Sequence, residues 1–401
     1  MDTDGSTMPV SHKTAQADPF VRGFANSPWT GPSSCSSEAR RRRRSSCPQR
    51  RPELGGDSRH MQIRNHAVNK VMFRSLAAAS LLVTNSFAVA QTAHEKPQFQ
   101  VGLAAAADFS AVYPSTVFRS PINELSASFH LDEKERPTRL TARWIAVDVG
   151  AAAPQNFQIA AAELEPKGMT SGRFRYEQPQ PLPVGRYRVE LEADGKPWQS
   201  AQFEIIAAGG ASSPAAGQAL IPLAPGQQWT YRFEQRAGRG ARLNLPGVAA
   251  DPDGAYRATV KLRVAGLDAE GAHLITVRND QPVFEEWWRL DKAGLWATRR
   301  KQGLDDNALN PPQRLLAAPG TDQKWTYPPF GQDFRMWGPL PMSGAWGSGN
   351  GYVVLLRQPA DKPLATVERH FVPGVGMVRE VIIQTIAGRL ISRQEMELEK
   401  H

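Results

Sequence analysis

The chain has 401 residues, 41% of them hydrophobic, with 33 glycines and 32 prolines, enough for two folded units with cores of their own and too rich in turn-formers for a helical bundle. Its net charge of +9 suggests an anionic partner only until the charges are located: residues 1–90 hold 13 Lys and Arg against 6 Asp and Glu, the remainder 35 against 33. Both cysteines, Cys35 and Cys47, lie in the basic front segment, which excludes a disulfide framework, a thiol nucleophile and a Cys-ligated zinc from all that follows.

Residues 1–60 read as a disordered preface. The run Arg40 to Arg44 sits among serines without apolar periodicity or interleaved aromatics, so no nucleic-acid partner is expected. Residues 61–90 form a signal peptide region: a cation at Arg74, an apolar stretch from Leu76 to Val83 that resumes at Phe87, and the small-x-small triplet Ala88, Val89, Ala90. The stretch is interrupted by Thr84, Asn85 and Ser86 and falls short of the ~20 apolar residues of a spanning helix. The expectation is a periplasmic or secreted protein, cleaved near Ala90, that starts at Met61 or Met72 and carries no transmembrane segment in its mature chain. On that reading, residues 1–60 are an over-extended reading frame.

Residues 95–206 read as a β-sandwich. Leu140, Ala142, Trp144 and Ala146 alternate on one face of a strand, as do Tyr187, Val189, Leu191 and Ala193, and Asp194-Gly195 predicts a hairpin before the strand QFEII. The stretch LPVGRYRVELEADGKPWQSAQFEI resembles the last two strands of bacterial immunoglobulin-like domains, with Gly185 and Tyr187 at the tyrosine corner and Trp144 at the core tryptophan. Val189 stands where antibody domains have their second cysteine. Such domains serve as spacers or adhesion modules, which says little about activity.

Residues 207–219, AAGGASSPAAGQA, are small and uncharged and read as a flexible linker. In residues 220–401, LAPGQQWTYRFEQ places Trp229, Tyr231 and Phe233 on one strand face, and APGTDQKWTYPPFG repeats the Pro-Gly and Trp-Thr-Tyr elements at Pro319 and Trp325, the weak signal of a duplicated strand start. FEEWWRLDKAGLWATRR predicts a hairpin turning at Asp291 to Gly294. YVVLLR, TVERHFV, GMVREVIIQTI and RLISRQEMEL predict consecutive antiparallel strands. PLAPGQQWTY, KAGLW and ERHFVPGVGMVRE resemble the motifs PL.PG..W.Y, DGLW and ER.F.PGVG.V.E of a family of secreted bacterial proteins, largely uncharacterised. The resemblance implies a strongly curved antiparallel sheet, similar to the half-barrels of periplasmic lipoprotein carriers. The expected fold class is therefore all-β, an immunoglobulin-like β-sandwich followed by a half-barrel-like curved antiparallel β-sheet. MSGAWGSGNG replaces a turn common in relatives and leaves that loop's geometry open.

Catalytic signals are absent where they can be tested. Gly344, Gly347, Gly349 and Gly351 lack the Lys-Ser/Thr of a phosphate-binding loop and read as a flexible loop, while Gly374 and Gly376 join two strand-like segments and read as a turn. There is no G-x-S-x-G elbow near Ser348. The histidines after the apolar stretch, His94, His130, His273, His370 and His401, are scattered, so neither a metal nor a cofactor is expected, and exposed positions are the default. Glu285 and Glu286 are neighbours on a strand and point to opposite faces, so they cannot form an acid/base pair, although either could meet a distant carboxylate.

Seven of the ten tryptophans lie between Trp229 and Trp346. They read either as core or as a ligand-stacking surface, and the candidate ligand-binding residues are Trp229, Tyr231, Trp287, Trp288, Trp296 and Trp325. Three functions fit: a non-catalytic carrier or binding protein of the envelope holding an apolar or lipid-like ligand, a surface module binding glycan or protein, and a hydrolase with dispersed carboxylates. The first is preferred. Expected partners are accordingly a lipid, a glycan or an envelope protein.

Overall fold

The computed structural model describes residues 99–132, 137–207, 220–241, 243, 249–319, 323–358, 365–386 and 389–400. The expected preface, the signal peptide region and nearly all of the linker lie outside the described residues.

The first part of the chain contributes β1 (Phe99–Gly102), β2 (Ala104–Ala105), β3 (Ala111–Val112), β4 (Val117–Arg119), β5 (Glu124–His130), β6 (Leu140–Asp148), β7 (Phe157–Leu164), β8 (Ser171–Glu177), β9 (Gly185–Ala193) and β10 (Lys196–Ile206). They form a three-stranded sheet in the order β1-β5-β8, a five-stranded sheet in the order β4-β10-β9-β6-β7, and a two-stranded ribbon β2-β3. Only β4 and β10 run parallel; the other pairs are antiparallel. The alternation seen in sequence sets the inner face: Leu140, Ala142, Trp144 and Ala146 are buried, as are Tyr187, Val189 and Leu191. Trp144 of the larger sheet meets Tyr176 of the smaller one with ring centroids 5.4 Å apart. The Tyr187 hydroxyl donates to the Pro183 carbonyl at 2.6 Å, locking the start of β9. Asp194 and Gly195 take φ of 50° and 76° between β9 and β10, the left-handed pair of a two-residue hairpin whose twist suits the flanking strands.

The second part consists of β11 (Gln228–Ala237), β12 (Ala255–Asp268), β13 (Gly271–Arg278), β14 (Gln281–Asp291), β15 (Gly294–Gln302), β16 (Asp305–Ala317), β17 (Lys324–Tyr327), β18 (Gln332–Gly344), β19 (Gly347–Arg357), β20 (Ala365–Val372), β21 (Gly376–Ile386) and β22 (Arg389–Lys400). All twelve make one antiparallel sheet, in the order β16-β15-β14-β13-β12-β11-β22-β21-β20-β19-β18-β17. The order falls into two six-strand meanders, β11–β16 and β17–β22, each opening on Trp-Thr-Tyr. The first strand of the first meander is zipped to the last of the second, β11 to β22. At the other junction β16 and β17 share no ladder, but side chains bridge it: Trp325 Nε1 donates to Arg314 O (3.2 Å) and Tyr327 OH to Pro311 O (2.9 Å), while Gln313 Nε2 of β16 donates to Oε1 of Gln332 at the start of β18 (2.7 Å). The sheet therefore curls beyond a half-barrel into a nearly closed one.

The duplicated tripeptide plays the same role twice. Trp229 Nε1 donates to Val375 O (2.6 Å) and Tyr231 OH to Met377 O (2.8 Å), past β22 to the β20–β21 turn and β21; Trp325 and Tyr327 likewise donate to backbone carbonyls, those of β16 across the unzipped junction. The unpaired edges are protected by residues without an N–H: β16 carries Pro311 and Pro312, and β18, which β17 covers only over Gln332–Arg335, carries Pro339 and Pro341. Prolines at such positions deny a passing strand its ladder.

Two expectations are corrected. The glycines from Gly344 to Gly351 do not form a flexible loop: β18 turns into β19 through Ala345 and Trp346, and Gly347, Gly349 and Gly351 belong to the ladder. His370 is not at an exposed position but buried, bonded to Glu368 at 2.6 Å.

The two folded parts touch directly. Residues 105–113 lie across the convex face of β19–β22: Ala107 N donates to Thr366 Oγ1 (3.2 Å), Tyr113 N to Glu368 Oε1 (3.2 Å), Arg357 to Ala105 O (3.1 Å) and Arg393 to Ser110 Oγ (3.2 Å). Glu124 of β5 accepts from both Arg175 of its own sheet and Arg335 of β18.

Candidate functional site

Inside the curled sheet lies a cavity of about 70 Å³, walled by Tyr231, Val260, Leu262, Leu274, Thr276, Phe284, Glu286, Trp288, Arg369, Met377, Glu380 and Met396. The pleat explains this set: Tyr231 and Phe233 alternate with outward Arg232, and Glu286 and Trp288 with outward Glu285 and Trp287. The volume is well below the ~300–1,000 Å³ of pockets that bury whole small molecules. It has room for a few waters or a short aliphatic group.

Both carboxylates at the cavity are committed. Glu286 accepts from Arg300 Nε and Trp288 Nε1, each at 2.5 Å, and Arg300 goes on to Gln313 at 2.5 Å, which reaches Gln332 across the unzipped junction. Glu380 accepts from Arg369 Nε at 2.6 Å. Burial alone would push the Arg369 guanidinium down, but Glu380 and Glu286 hold it above its ordinary range. Burial, seconded by Glu380, drives the Tyr231 phenol well above its usual value. Both glutamates are thus tied to guanidinium groups, an arrangement that fixes strands to one another.

The six candidate residues do not share one surface. Tyr231 and Trp288 line the cavity, while Trp229, 1% exposed, sits on the same strand face as Tyr231 and seals the Val375 turn. Trp287 occupies the opposite face, in a cross-strand row with His273 and Arg299. The His273 ring stacks on it at 4.2 Å and 5°, Arg299 lies 4.7 Å from its centroid, and its indole N–H donates to Asp268 at 2.7 Å. Its strand neighbours on both sides occupy the space over the indole, which leaves no free face for a sugar. Trp296 is half-buried under Arg314 (4.7 Å) and bonded to Asp291 at 3.0 Å. Trp325 stacks on Phe334 at 5.2 Å and 11° beside the junction.

Glu285, on the outer face, is held below the usual carboxylate range by Lys301 first and His273 after it. Among the described residues no three His, Cys, Asp or Glu side chains gather as metal ligands would, and no helix is long and apolar enough to cross a membrane. Sequence reasoning missed Arg300, Arg369 and Glu380 as lumen residues. Their only signal was charge recurring within apolar strands.

No family model and no curated protein matches the chain. Among solved structures, a protein assigned as a lipoprotein of Parabacteroides distasonis is similar over 46% of this chain and 98% of its own, at 12% identity and a TM-score of 0.23. An exported protein with a YmcC-like fold from Bacteroides fragilis is similar over 45% of this chain and 97% of its own, at 13% identity and a TM-score of 0.22. Scores that low fall short of a shared overall fold.

Proposed function

We propose that this is an exported, non-catalytic binding protein of the bacterial envelope, with its ligand seat in the lumen of the curled sheet. The carrying observation is the make-up of the cavity: apolar walls drawn from β11–β14 and β20–β22, with each carboxylate already neutralised by an arginine. A hydrolase reading would need one of those carboxyls free to give up or accept a proton. A glycan reading would need open indole faces, which Trp287 lacks. Export is supported by the Arg74-to-Ala90 segment, and membership of the secreted family by its motifs, whose residues meet in space: Trp229 and Tyr231 donate to the carbonyls of Val375 and Met377, and Arg369 pairs with Glu380. The strand orders β1-β5-β8 and β4-β10-β9-β6-β7, with the Tyr187 hydroxyl bonded four residues back, support reading the first part as immunoglobulin-like. It acts as a brace on the convex side of the sheet.

The small cavity favours a short aliphatic group over a full acyl chain. The test is native mass spectrometry of the protein taken from the envelope fraction, beside Thr276→Phe, which fills the cavity from a half-buried position. A bound small molecule lost in the variant is the expected result; wild-type and variant spectra that both show only the bare chain would end the proposal.

A further inference from the structure

The charges facing the lumen do not balance. Glu286 with Arg300 and Glu380 with Arg369 make two closed pairs. A third guanidinium, Arg278 at the end of β13, points the same way: its cross-strand neighbour is Val260, a wall of the cavity, and it lies 6.0 Å from the ring of Phe233, one step along the strand face from Tyr231. Arg278 forms no ion pair among the described residues, and its half-buried position among apolar groups lowers its pKa through desolvation. A half-buried arginine at the rim with no counter-charge among the described residues is a ready partner for an anion.

Around it the surface is apolar and only partly covered. Phe284, Thr276 and Met396 are half-buried although they face the lumen, which marks this end as the accessible one. Trp229 and Trp288, by contrast, are buried. A cavity of about 70 Å³ is roughly half the ~150 Å³ that accepts a benzene ring, so a tail of a few carbons fits where an aromatic ring does not.

We propose that the open end of the lumen binds a small monoanion with a short aliphatic tail, its charge on Arg278 and its tail against Phe233, Val260, Phe284 and Met396. This rests on the lumen being the ligand seat. It adds the ligand's charge, size and orientation. Glu286 and Glu380 do not repel such a ligand because Arg300 and Arg369 cancel them.

The probes are butanoate and butan-1-ol, matched in tail and differing in charge, titrated by ligand-observed NMR into the full chain, Arg278→Gln and Thr276→Phe at low salt. A hydrogen bond to a charged group predicts that the wild type prefers butanoate by roughly tenfold or more. Arg278→Gln should erase that preference while leaving butanol binding in place, and Thr276→Phe should weaken both ligands. Equal affinity for acid and alcohol in the wild type, or a preference that survives Arg278→Gln, overturns the anion assignment and leaves the lumen reading standing. Binding unaffected by Thr276→Phe, or no binding of either probe to the wild type, overturns both.

Discussion

Trp229→Phe tests whether the contact between the first strand of the sheet and the Val375 turn holds the zipped junction. The indole is 1% exposed and donates at 2.6 Å to Val375 O. Phenylalanine keeps one ring and loses the donor, leaving a carbonyl in a tight turn without its partner, a loss of about 1–3 kcal/mol. The missing ring atoms open a cavity of roughly 40 Å³, which at ~24 cal/mol per Å³ adds about 1 kcal/mol. The expected destabilisation is therefore about 2–4 kcal/mol, or a fall in Tm of roughly 2–5 °C for a chain of this size. The assay is urea unfolding followed by far-ultraviolet circular dichroism, with Trp296→Phe as comparison. That indole is half-buried and bonded to the exposed carboxylate of Asp291, so its loss should stay near 1 kcal/mol. If the two variants unfold at the same midpoint, the Trp229 contact is not what holds the junction.

Three further outcomes follow from the same geometry. Gly376 sits at φ +114° with Trp229 Nε1 only 2.7 Å from where a Cβ would stand, so Gly376→Ala should lose 2 kcal/mol or more in the same assay. Burial would raise the Glu368 carboxyl, yet His370, Arg379 and the Tyr113 N–H hold it below the ordinary range; its stabilisation is present above the unfolded pKa, about 4.3, and is lost as pH falls through the lower folded value. Urea midpoints measured from pH 6 down to pH 3 should fall less steeply in Glu368→Gln than in wild type. Breaking one side of the buried Glu286–Arg300 pair with Arg300→Met should destabilise by about 3 kcal/mol, and adding Glu286→Gln should recover part of that, as a double-mutant cycle would register.

Local alternation made much of this fold legible. Leu140 to Ala146, Tyr187 to Leu191 and Trp229 to Phe233 all bury the side that period two predicts, and the Asp194-Gly195 and Asp291-to-Gly294 turns fall where turn chemistry puts them. Glycine carries no side chain to alternate, so the strand from Gly347 to Gly351 looked like a loop. The curl of the sheet depends on β11 meeting β22, whose partners Thr230 and Lys400 are separated by most of the second part of the chain, and no local pattern encodes that pairing. The lumen arginine was hidden for a smaller reason. Counting back from the Asp291–Gly294 turn pairs Glu286 with Arg299, but a bulge between Trp287 and Trp288 shifts the register by one, so that Arg300 meets Glu286 inside and Arg299 covers Trp287 outside. One inserted residue decides which arginine enters the lumen.

The two six-strand halves bear on where this sheet can be cut. Because β11 lies against β22, the natural ends of the sheet are neighbours, and a linker could join them without disturbing any ladder. New ends placed between Ala317 and Lys324 would fall at a junction that side chains alone bridge. A circular permutant that begins at β17 and finishes at β16 would keep every backbone pairing of the native sheet, while freeing the side that now carries the first folded part for a different attachment.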